Sequence, residues 1–187
     1  MKNELTSTDG EETVTLTDDT DFACYRLPGE THYTLVAEAG AATLLPDDTP
    51  LEGKKGFLIA PFLYATAAPS GLPVLLIRPH ACIQAAVPET ADIIPLAASC
   101  DENRERTAYH HSFMRAYRHF STSGCCKFVL SRSHRLRLQE ALRTDELLPL
   151  FFKACRLYPR SYVALWHTQA GGTWLTATPE TLLRRDA

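Results

Sequence analysis

The stretch Cys126-Lys127-Phe128-Val129-Leu130-Ser131-Arg132 places a short apolar run after a lysine and before a serine and an arginine. Three apolar residues bounded by polar ones predict a short buried strand. Burial disfavours an ammonium, so a lysine beside a dry strand is drawn down from about 10.4 toward neutrality. Such a lysine can act as a general base. A strand-end lysine pointing into water is the plain alternative. Upstream, Tyr109, Phe113, Tyr117 and Phe120 recur three or four apart and predict a helix over 105–120, stopped by Ser121-Thr122-Ser123-Gly124. Downstream, residues 145–157 read as a second helix, acidic in its first turn and with Arg156 in its last. Pro149 moves the expected regular start of that helix to about Leu148. Residues 161–168 and 173–178 then predict two strands joined by the hairpin loop Gln169-Ala170-Gly171-Gly172.

Before residue 100 the chain reads mainly as antiparallel sheet. Strands are expected over 22–27 and 33–39, joined through Pro28-Gly29, and over 56–62 and 74–79. The last two are apolar on both faces, which argues for burial between layers. Residues 45–56 carry four glycine or proline punctuators and paired aspartates, as a turn-rich connection does. The expected organisation is an acidic segment over 1–20, poorly ordered or forming an edge strand at Thr13–Thr17, a β-rich region over 21–100, and a helix-containing region over 101–187.

Composition limits the class of partner. A net charge of −3 gives no general attraction to nucleic acid or to anionic membranes. Charge is unevenly placed: residues 1–100 hold 5 Lys/Arg against 14 Asp/Glu, and residues 101–187 hold 14 against 8. A basic second half suits an acidic small molecule, or simply a solvated helix surface. Six cysteines show no C-x-x-C spacing and no metal-like pairing with histidine. They read as reduced, mostly buried thiols of a cytoplasmic protein. The polar, acidic start does not resemble a signal peptide, and no apolar run reaches the roughly 20 residues of a membrane helix.

A second stretch, Trp174-Leu175-Thr176-Ala177-Thr178-Pro179-Glu180-Thr181-Leu182-Leu183, runs a strand into Thr-Pro-Glu. Locally, Thr178 would cap a helix, Pro179 would open it and Glu180 would complement its dipole. Taken with the first stretch it does more. K-F-V-L-S-R, a helix ending in Y-P, S-Y-V-A-L-W and then W-L-T-A-T-P-E-T-L-L resemble, in order and spacing, the chorismate-binding enzymes. That family includes isochorismate, salicylate, anthranilate and aminodeoxychorismate synthases. The motif-bearing resemblance covers about 109–185, and a weaker one extends forward to Phe22.

The resemblance implies an α+β fold, with antiparallel sheets and packed helices forming part of the family's sandwich. Members that add water to chorismate carry a lysine at the Lys127 position. It therefore implies an isochorismate synthase for menaquinone biosynthesis. Lys127 would be the general base that activates water, and Glu180 the general acid that protonates the leaving hydroxyl. Ala177 and Thr178 would line the chorismate site. The cofactor would be Mg²⁺, held by residues of the family's region that follows the part matched here, so no metal ligand is expected within this chain. On that view the chain is an N-terminal portion, inactive alone, and its exposed apolar sheet would let copies associate.

Thr176 departs from the family, which has glycine there, and puts the geometry of the pocket wall in doubt. Salicylate synthase, which also uses the lysine, and a non-catalytic half-domain of this fold are the other readings. Other groupings are weaker. Ser131-Arg132-Ser133-His134-Arg135 reads as a solvated basic turn, because no acidic orienter accompanies it. His110 and His111 are adjacent on a helix and face apart. Gly171-Gly172 is a turn, with no following helix to make it a phosphate loop.

Overall fold

The computed structural model describes the chain except residues 1, 2, 11, 47, 48, 62–73, 90–97, 100, 101, 123, 125, 126, 128, 134, 135, 139–141 and 180–187. The first strands are β1 (Asn3–Thr6), β2 (Thr13–Leu16), β3 (Phe22–Arg26), β4 (His32–Ala37) and β5 (Thr43–Leu45). Next come β6 (Phe57–Ile59), β7 (Val74–Ile77), β8 (Ala81–Ala86), the short β9 (Ala98–Ser99) and helix α1 (Glu102–Thr122). The chain continues through β10 (Arg137–Leu138), α2 (Thr144–Leu157), β11 (Tyr162–Thr168) and β12 (Gly172–Thr178). The class is mixed α+β, with antiparallel sheets and two helices among the described residues.

Contacts divide the chain into two compact units, Met1–Ile93 with Leu142–Ala187, and Ile94–Ala141. This grouping differs from a cut at residue 100, because the last two strands join the sheet begun by the front of the chain. In the first unit five strands run in the order β12-β11-β3-β4-β8, every neighbour antiparallel. Phe22, Cys24, Tyr33, Leu35, Ile83, Val163 and Leu165 alternate onto one face and pack against α2 and the β1–β2 hairpin. Ala23 and Val36 alternate onto the other, against Leu75 and Ile77 of a second sheet ordered β5-β7-β6. The five-stranded sheet is thus covered on both faces, and β7 is buried along its length, as its apolar pattern predicts. Each fully buried Phe or Leu contributes about 1.5–3 kcal/mol.

Several long-range bonds lock this unit. The buried Asp21 carboxylate accepts the N–H groups of Ala42 at 2.7 Å and Gln169 at 2.9 Å, fixing the start of β3 to the β11–β12 loop. Helix α2 begins at Thr144, four residues before Leu148, with Pro149 inside it. The expected late start is overridden by two caps. The Asp18 carboxylate accepts both the Oγ1–H (2.6 Å) and the N–H (3.1 Å) of Thr144, and the Glu146 carboxylate accepts the N–H of Arg143 at 2.8 Å. These satisfy first-turn donors and offset the single ladder bond that proline omits. The acidic front segment forms the β1–β2 hairpin, and Leu16 is fully buried in the core. Cys24 and Cys155 are buried free thiols and Cys82 is an exposed one; the other three cysteines lie outside the described residues.

In the second unit α1 spans 21 residues and β9 pairs with β10. The strand expected around Lys127 does not form at the described positions there. Residues 127 and 129–133 have no regular structure, and Val129 is 76% exposed. A run of three apolar residues after Gly124 has too little apolar area to hold an extended segment without a ladder partner. Among the described residues no helix is long and apolar enough to cross a membrane.

Candidate functional site

Lys127 belongs to the second unit, where its exposed side chain helps line a groove of about 530 Å³. The other walls are Tyr109, Phe113, Ala116, Tyr117 and Phe120 of α1, with Leu130. The helical spacing read from the sequence explains this wall: positions three and four apart stack on one face of α1. Phe113 and Tyr117 lie nearly parallel, with ring centroids 6.2 Å apart. The stripe is largely exposed and forms the groove rather than a sealed core. Arg132 sits at this wall, its guanidinium carbon 5.9 Å from the centroid of the Tyr109 ring. The groove offers aromatic faces for a flat ring and cationic groups for an anion, within the size range of small-molecule sites.

Ala177 and Thr178 lie in the first unit, at the end of β12. Thr178 is opposite Tyr162, Thr176 opposite Ala164 and Trp174 opposite Trp166, so these six residues share the face that carries the smaller sheet. Ala177 is opposite Val163 and therefore on the face that carries α2. Successive strand residues point to opposite faces, so Ala177 and Thr178 present to different sides of the sheet. Thr176 stands across from the small Ala164 and is half-buried, so alanine leaves room for its side chain. Tyr162, beside Thr178, has its hydroxyl pushed up to about 12, mainly by burial. Trp174 and Trp166 stack at 6.2 Å, and the Trp174 indole N–H donates to the Gly171 carbonyl at 2.8 Å.

Glu180 lies outside the described residues, as do Cys126 and Phe128 of the opening stretch and His134 and Arg135 of the basic turn. No family model, curated protein or solved structure matches this chain. Among the described residues no group of three or more His, Cys, Asp or Glu stands together to hold a metal ion. Residues not singled out as site residues by sequence, Tyr109, Phe113, Tyr117 and Arg132, are grouped with Lys127 by the turn of α1 and the path of the chain after Gly124. The aromatic spacing was the available signal.

Proposed function

We propose that the chain is part of an isochorismate synthase and that Lys127 and Glu180 are its two proton-transfer residues. Lys127 takes a proton from water as the oxygen bonds to C2 of chorismate. The ring double bonds shift, the C4–O bond breaks, and Glu180 gives its proton to the departing hydroxyl, which leaves as water. The fold that goes with this reading is the layered sandwich of the chorismate-binding enzymes, and the pathway is menaquinone biosynthesis in the cytoplasm. Ala177 and Thr178 then line the substrate, with Mg²⁺ expected from the family resemblance.

The observation that carries the reading is the position of Lys127. It occupies the lysine place of K-F-V-L-S-R, the motif paired with A-T-P-E, and it lines a groove walled by aromatic rings. Exposure of Lys127 favours a second reading, a non-catalytic domain of the same fold, because active sites usually shield their reacting groups from water. Product analysis separates the possibilities. The protein expressed from its full reading frame, supplied with chorismate and Mg²⁺, is expected to yield isochorismate. Salicylate with pyruvate would mark salicylate synthase, and unconsumed chorismate the non-catalytic domain.

A further inference from the structure

We propose that Arg132 is a second anion-binding residue of the Lys127 groove, gripping a carboxylate of a ring-bearing acid whose ring lies against Tyr109 and Phe113. This rests on the reading of that groove as the chorismate site and adds a binding residue to it. Lys127 and Arg132 are five positions apart, so on a regular strand they would face opposite sides. The described chain between them is not a strand, and both cations stand by the same helix wall: Lys127 lines the groove with Tyr109, and Arg132 lies over the Tyr109 ring.

The two cations suit different tasks. Arginine stays charged in proteins and cannot serve as a base, but its planar fork matches a carboxylate with two parallel hydrogen bonds. The cation–π contact with Tyr109 restrains the guanidinium and leaves N–H groups able to donate. A ligand carboxylate on Arg132 would leave the Lys127 amine for proton transfer. The surroundings favour an anion, since residues 94–141 hold 8 Lys/Arg against 4 Asp/Glu. None of the described groove-lining residues is acidic.

The test titrates the protein expressed from its full reading frame, with Mg²⁺ present, with chorismate and with benzoate, comparing wild type, Arg132→Gln and Arg132→Lys, with far-UV circular dichroism to confirm folding. Arg132 is exposed, so the variants are expected to fold. Arg132→Gln should weaken chorismate binding tenfold or more, and Arg132→Lys should restore only part of it. The side-chain Nε–H resonance of Arg132, assigned by its loss in Arg132→Lys, should shift during the wild-type titration; a purely structural arginine would not show this. Unchanged chorismate affinity in Arg132→Gln, or a stationary resonance, overturns the assignment while leaving the chorismate reading intact. Arg132-dependent binding of benzoate without chorismate binding overturns the chorismate reading and supports the arginine. Absence of binding by either acid overturns both.

Discussion

The Nη2 atom of Arg26 lies 2.7 Å from the carbonyl oxygen of Tyr158, the C-cap residue of α2. The same guanidinium donates to the carbonyls of Pro159 at 2.7 Å, Ser161 at 2.9 Å and Glu30 at 3.3 Å. A cation at a helix C-terminus is favoured by the dipole, and here one buried side chain gathers the end of β3, the end of α2 and the approach to β11. The Cys155 thiol is beside it; burial pushes that thiol up, against the opposing pull of Arg26. Replacing Arg26 by Met removes the donor from the buried Ser161 carbonyl bond and from three part-buried ones. It should lower the unfolding free energy by about 3 kcal/mol, measured by urea denaturation. Loss below about 1 kcal/mol would show that water replaces the guanidinium without penalty.

Asp18 should make the stability of α2 depend on pH. The hydrogen bonds from the Thr144 hydroxyl and then from its N–H hold the Asp18 carboxyl below its ordinary value of 3.8. Its stabilisation is therefore fully present above that value and fades as pH falls through the lower folded-state value. Asp18→Asn should be less stable than wild type at pH 7, and the gap should narrow in acid. Equal denaturation midpoints for the two proteins at pH 7 would contradict this.

Gly56 holds a φ of +139°, and a Cβ built there would collide with the carbonyl oxygen of Ile77. Both the backbone angle and the close approach to β7 require glycine. Gly56→Ala should destabilise the protein by about 1–3 kcal/mol, seen as a lower midpoint in thermal or urea unfolding. Gly29→Ala is a control with positive φ but nothing within 4 Å, and it should cost less.

Local chemistry made much of this fold readable. Pro28-Gly29 between two apolar runs marks the β3–β4 hairpin, and Gln169 to Gly172 marks β11–β12. The aromatic spacing marks α1, although its stripe lines a groove. Strand β8 escapes such reading, since Ala81–Ala86 has small residues and weak alternation and owes its structure to pairing with β4. Nor does periodicity announce that β11 pairs with β3 or that Asp18 caps a helix starting at Thr144, because those partners are far apart in the chain. At the site, Lys127 is legible as a residue type in a motif. Its irregular, exposed setting is not, because a three-residue apolar run looks the same in sequence with or without a ladder partner.

The proposed chemistry stands on Lys127. The most direct measurement is isochorismate formation from chorismate, with Mg²⁺, by the protein expressed from its full reading frame and by its Lys127→Ala variant, both shown to be folded. Loss of a positioned base should lower turnover by roughly 10²–10⁴-fold with the fold retained. Near-normal turnover in Lys127→Ala, or no isochorismate from the wild type, would contradict it.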